Sequence, residues 1–180
     1  QDGRGHGAAD GRVDGVFLTD LRSSDSRIPL LRALRIPAVT LNRPDIPSPF
    51  PAVCCDDREG VRVAVEHLVV LGHTRIAYVS GPEDYLHSRH RRAAWEHAVR
   101  CAGLPEGPLR TGDFTAAGGA RVTRLLLLEP DPPTAIVYAN DVMAMAGMAT
   151  AAELGVSVPG DLSVVGFDDS SAATSGEIGI

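Results

Sequence analysis

Short apolar runs that end in glycine or a polar pair alternate, along nearly the whole chain, with longer stretches whose apolar residues recur at helical spacing. The runs are VDGVFLT (residues 13–19), PAVTL (37–41), AVCC (52–55), RIAYVSG (75–81), TGDF (111–114), TAIVYAND (134–141) and SVVGFDD (163–169). Between them the pattern predicts helices over 26–34, 57–71, 88–102, 116–128 and 142–154. In the first of these, Ser26 is the expected cap and Leu30, Leu31 and Leu34 the expected inner face; in the second, Asp56 or Asp57 caps a face of Val61, Val65, Leu68 and Val69. Gly72, Gly103 and Gly155 stand where helices should stop. Unbroken apolar strands separated by amphipathic helices imply an α/β fold with parallel sheets and right-handed crossovers. The stretch NRPDIPSPFP (42–51) has four prolines and excludes a helix or central strand, which makes it the expected linker or lobe crossing.

Charge and cysteine content narrow the function. The net charge is −6, and all 17 basic residues are arginines. An acidic chain is poorly suited to grip a phosphate backbone by itself; RHRR (89–92) could still meet an anion, although most of its charges read as a solvated helix start. No apolar run is long enough to span a membrane. The 3 cysteines make no disulfide framework and have no zinc spacing. They are expected as free, buried or half-buried thiols, which fits a reducing compartment. His6, His67, His73, His87, His90 and His97 are scattered without ligand spacing, so neither a metal nor a cofactor is expected. Of Met143, Met145 and Met148, at least one should fill the core.

The strand ends carry the functional signal. In open parallel sheets ligands bind beyond the carboxyl ends of the strands. Here those ends present Asn42 and Arg43, then Tyr85, His87 and Arg91, then Phe114, then Asn140 and Asp141, then Phe167, Asp168 and Asp169. Carboxylates accept hydrogen bonds from vicinal hydroxyls, a guanidinium donates to them, and an aromatic face stacks on a sugar ring. The set suits a neutral polyhydroxylated ligand. Either Asp168 or Asp169 alone reads more readily as a turn cap, and it is the set of strand ends together that favours a site. No GxSxG, HExxH, phosphate-loop or strand-linked GxGxxG motif is present, and no catalytic residue is assigned.

Four segments, in order, resemble the LacI/GalR family of bacterial transcription regulators: VDG at 13–15, DDREGVRVAVEHLVVLGHTRIAYVSGP at 56–82, RRAAW at 91–95, and PTAIVYANDVMAMAGMATAAELGVSVPGDLSVVGFDD at 133–169. The resemblance implies a periplasmic-binding-protein-like effector domain of two α/β lobes with parallel sheets flanked by helices. Residues 1–54 would be a partial N-terminal lobe and 55–180 a C-terminal lobe, both incomplete relative to the family, with the helix-turn-helix absent. It implies ligand contacts at Arg91, Asn140 and Asp168, stacking by Phe114, and tuning contacts at Tyr85 and His87. Asn42 stands where many relatives have aspartate, and Ala94 where they have glycine. The implied function is cytoplasmic sensing of a sugar-like effector in an interlobe cleft by a homodimer that meets DNA only through the missing domain. The alternatives are a transport receptor of the periplasmic type and an enzyme acting on sugars through Asp168 and Asp169.

Overall fold

The computed structural model describes residues 14–170. The start of the expected first strand at Val13, His6 in the glycine-rich opening, and the closing SGEIGI lie outside them. The described chain runs β1 (Val16–Leu18), α1 (Arg27–Ala33), β2 (Ala38–Leu41), β3 (Ala52–Val53), α2 (Asp57–Val70), β4 (Ile76–Ser80), α3 (Leu86–Cys101), β5 (Leu109–Thr111), α4 (Ala116–Leu127), β6 (Ala135–Tyr138), α5 (Asp141–Glu153) and β7 (Ser163–Val165). Every strand pairing is parallel. This is the α/β architecture that the alternation implies.

The chain divides into two compact units. One holds the described residues up to Asp56 together with Asp84–His87; the other holds Asp57–Glu83 and the described residues from Ser88 onward. The first contains the three-stranded sheet β1-β2-β3, with Leu18, Leu21, Ile28, Leu31, Ala38 and Leu86 as its core. The proline-rich residues 42–51 join β2 to β3 within that sheet and are not the crossing between units. The α1 face also differs from expectation. Ile28 and Leu31 are buried, while Leu30 and Leu34 are exposed, so the inner face is the Ile28–Leu31 side of the helix. Its cap is Asp25 rather than Ser26. The buried Asp25 carboxylate accepts from the Arg22 and Arg27 amides and from the Arg27 guanidinium. Burial alone would raise this carboxyl, but those donors outweigh it and hold it at about 2.

The second unit is built on the sheet β5-β4-β6-β7. Strands β4 and β6 are its centre, and IAYVS and AIVY are buried at every position. Helix α2 covers it with Val61, Val65 and Leu68, as the spacing requires. Helices α4 and α5 pack against one another through glycines. A Cβ on Gly119 would lie 2.6 Å from the Met143 Cα and carbonyl oxygen, so no side chain fits there. Tyr138 shares a buried 2.6 Å hydrogen bond with Thr123, and a Cβ on Gly147 would lie 2.2 Å from the Tyr138 hydroxyl. Met143 is fully buried, as expected of one methionine. Gly72, Gly103 and Gly155 all adopt the left-handed backbone that ends helices α2, α3 and α5.

His73 closes the amino end of this sheet. Its ring nitrogens lie 2.8 Å from the Thr134 and Ser163 hydroxyls, at the starts of β6 and β7. Burial pushes its pKa down. A histidine with a depressed folded pKa stabilises the fold above its unfolded value, near 6.5, and that contribution is lost as pH falls through the folded value. His73→Ala is expected to cost about 1–2 kcal/mol at pH 8. The gap to the parent should narrow by pH 5, as read from urea midpoints at the two pH values.

Candidate functional site

The chain order of the second sheet starts at β4, moves outward to β5, and returns to the opposite side of β4 for β6 and β7. The strand order therefore reverses between β4 and β6. In such sheets this switch point opens a crevice at the carboxyl ends. Arg91 occupies it. It projects from α3, which follows β4, and its Nη1 donates to the Ala139 carbonyl, just past the end of β6, at 2.6 Å. Its Nη2 donates to the Asp57 carboxylate at 3.3 Å. The guanidinium lies over the Phe167 ring, 3.4 Å from its centroid. The Arg91 and Asp57 side chains retain 13% and 6% of their exposure, so this ion pair is largely out of water.

Asn140 sits one residue beyond Ala139 and caps α5: its Oδ1 accepts from the Met143 amide at 3.1 Å, and its Nδ2 donates to the Phe114 carbonyl at 3.2 Å. Phe114 follows β5 in the left-handed region, at φ 64°. Its ring lies directly on Gly81, filling the space where a Cβ would be. Asp168 is exposed, and one of its oxygens accepts from the Asp141 amide at 3.1 Å. That favours the first turn of α5, where unpaired amides and the helix dipole attract negative charge.

Asp141 reciprocates. Its carboxylate accepts from the Phe167, Asp168 and Ser170 amides at 2.7, 2.9 and 2.8 Å. Burial works to raise this carboxyl, but the three amides prevail and hold it below the usual carboxylate range. The loop after β7 is thus clamped onto the start of α5. The two acids that end SVVGFDD play different parts: Asp168 caps a helix and presents its second oxygen, while Asp169 takes a left-handed turn conformation, at φ 50°.

The structure brings Arg91, Phe114, Asn140 and Asp168 together in the second unit. Asn42, Tyr85 and His87 belong to the first. There the Asn42 Oδ1 accepts from the Cys55 amide at 3.2 Å. The Tyr85 hydroxyl accepts from Arg22 at 3.0 Å, and its ring lies 5.4 Å from that of His87. Asp57 was not among the residues expected to form the site, and Asp141 and Phe167 stood among the strand-end groups without an assigned contact. The two acids read from sequence as helix starts, and only their burial shows the further role. The cysteine expectation is corrected: Cys54, Cys55 and Cys101 are free but exposed, the first two because AVCC leaves the sheet after Val53 and the third at the end of α3. Among the described residues, no cluster of histidines, cysteines and acids could hold a metal ion, and no helix is long and apolar enough to cross a membrane.

A family model described as a periplasmic binding protein-like domain matches residues 65–177. The lactose operon repressor of Escherichia coli (strain K12) is 35% identical over 159 residues, which is 88% of this chain and 44% of that protein. The chain thus spans somewhat less than half of that curated relative. Among solved structures, a LacI family transcriptional regulator from Bifidobacterium animalis subsp. lactis superposes with a TM-score of 0.83 at 36% identity, covering 94% of this chain and 62% of the other. A structure described as a complex of the transcriptional regulator CelR with cellobiose gives a TM-score of 0.83 at 33% identity, over 94% of this chain and 53% of that one. The chain therefore belongs to the periplasmic binding protein-like family, and the relatives it matches within that family are LacI-type transcription regulators.

Proposed function

We propose that this chain is the effector-sensing part of a LacI-type transcription regulator working in the cytoplasm, and that its effector is a small sugar. The observation that carries this is the arrangement around Arg91: a fixed guanidinium at the switch point, beside the Asn140 amide and Asp168, with Phe114 as a stacking surface. These groups match the donors, acceptors and faces of a polyol. We assign Asn42, Arg91, Phe114, Asn140 and Asp168 as effector contacts, and Tyr85 and His87 as contacts that tune effector choice. The similarity to a regulator solved with cellobiose supports a sugar. Binding that favours one of two states would be passed to DNA through a helix-turn-helix domain of the same regulator. The partner we assign is a second copy. Helix α5 is apolar on all sides, and its outer face exposes Val142 and Ala149 with Met145 and Met148 partly covered. We assign no enzymatic activity and no cofactor.

Trp95 is the only tryptophan, lies one helical turn beyond Arg91 and stacks on Tyr78 at 5.6 Å. Its emission is the readout of choice. Titration of the chain with a panel of neutral mono- and disaccharides, cellobiose included, should give saturable changes for at least one member. Arg91→Ala should weaken that response by about a hundredfold, the scale of hydrogen bonds from a charged group. The same sugar should alter operator retention of the full regulator and be recovered unchanged. A panel without a response, or a sugar that is consumed, would refute the reading.

A further inference from the structure

We propose that Asp57 is a specificity-determining residue that reserves this site for uncharged ligands. The inference rests on the reading of the strand ends around Arg91 as the effector site and adds to it the charge of the effector. Arginine is the usual receptor for carboxylate and phosphate because its planar fork binds two oxygens at once. Arg91 is not available in that way. Its Nη2 faces the Asp57 carboxylate, its Nη1 is held by the Ala139 carbonyl, and one face is covered by Phe167. The positive charge is already balanced inside the protein by a carboxylate at 6% exposure.

The remaining charges at this end of the sheet point the same way. Asp141 and Asp168 face the start of α5 and the loop after β7, and backbone amides engage both. Besides Asp57, which pairs with the guanidinium, two further carboxylates thus stand on the segments next to Ala139 and Phe167, the other partners of Arg91. An anionic ligand would meet this negative excess, or would have to detach Asp57 and leave it buried without its counter-ion, which is strongly unfavourable. A neutral polyol does neither. It can donate to the second oxygen of Asp168 and accept from the guanidinium edge.

Asp57 does this from the first position of α2, where a carboxylate also suits the helix dipole. Sequence alone cannot separate the two uses, since helix starts commonly carry aspartate. The difference lies in its neighbour across the fold, Arg91.

The experiment uses the full chain with an inorganic anion as the first probe, so that its result does not depend on the effector being a sugar. Sodium sulfate is titrated against sodium chloride at matched ionic strength, with Trp95 emission and melting temperature recorded. The parent should show no saturable response specific to sulfate. Asp57→Asn should acquire one, tighter by about tenfold or more, the scale of one charge-assisted hydrogen bond. Adding Arg91→Gln to that variant should abolish it. The second probe is a matched pair, galactose and galacturonate. The parent should prefer the neutral sugar, and Asp57→Asn should shift the ratio toward the acid by about tenfold.

Saturable sulfate binding by the parent that Arg91→Gln removes would overturn the proposal. So would an Asp57→Asn chain that folds and gains no anion affinity. Should Asp57→Asn fail to fold, the parent and Arg91→Gln decide the matter by the same sulfate titration. If no sugar binds but Asp57→Asn gains sulfate, the effector reading fails while the role of Asp57 stands.

Discussion

Asp141→Ala should lower the stability of the second unit by about 3 kcal/mol, a drop in melting temperature of about 10 °C. The carboxylate receives the Phe167, Asp168 and Ser170 amides, and alanine offers none of them an acceptor. Each donor must then find water or stay unpaired, and β7 is a three-residue edge strand held on one side by β6. Hydrogen exchange should show these three amides losing protection before those of β4 and β6. The Phe167 ring would lose its fixed place against Arg91, so sugar binding should fall with stability. Asp141→Asn should be milder, because its carbonyl can still accept while its amide nitrogen cannot. The pH dependence separates charge from shape. The folded carboxyl lies below its unfolded value, so its contribution is present above about pH 4 and is lost as pH falls through the folded value. The parent should therefore lead Asp141→Asn at neutral pH and lose that lead in acid. An equal lead at both would mean the carboxylate charge contributes nothing.

Gly119→Ala should cost about 3 kcal/mol for a single added methyl. The atoms it would strike are the Met143 Cα and carbonyl oxygen, which belong to a helix backbone and cannot rotate aside. Helices α4 and α5 must separate to admit it. Because α5 begins at Asp141, with Asn140 as its cap, that separation moves two site residues together. Weaker sugar binding should therefore accompany the lower melting temperature. Gly72→Ala is the control: its Cβ meets nothing, and only the left-handed backbone is penalised, by about 1 kcal/mol. It should leave sugar affinity intact. Equal losses of affinity in the two variants would show that α5 placement is not the cause.

What was legible in the sequence was mostly local. The burial of IAYVS and AIVY and the glycine stops at Gly72, Gly103 and Gly155 follow from patterns a few residues long. The α1 face was misread because Leu30, Leu31 and Leu34 share helical spacing, while the core is reached by Ile28 and Leu31. Four prolines in residues 42–51 were equally compatible with leaving a unit and with crossing over within one sheet. At the site, grouping strand ends anticipates Arg91, Phe114, Asn140 and Asp168 as neighbours. It does not anticipate which acid serves which partner. Asp57 and Arg91 are far apart in sequence, as are Asp141 and Asp168, and these pairings exist only once the sheet order is known.

The Tyr138–Thr123 hydrogen bond above Gly147 has a bearing on how relatives of this chain can diverge. The hydroxyl, its partner and the missing side chain form one unit spread over three elements. A lineage that replaces Tyr138 with phenylalanine leaves Thr123 only its bond to the Gly119 carbonyl and removes the shortest contact at Gly147, where a Cβ would still meet the ring carbon at 2.7 Å and the Thr123 hydroxyl at 2.9 Å. One that fills Gly147 first meets a barrier until Tyr138 has changed. Substitutions at the three positions should therefore appear in a preferred order across homologues, with the change at Gly147 following those at Tyr138 and Thr123.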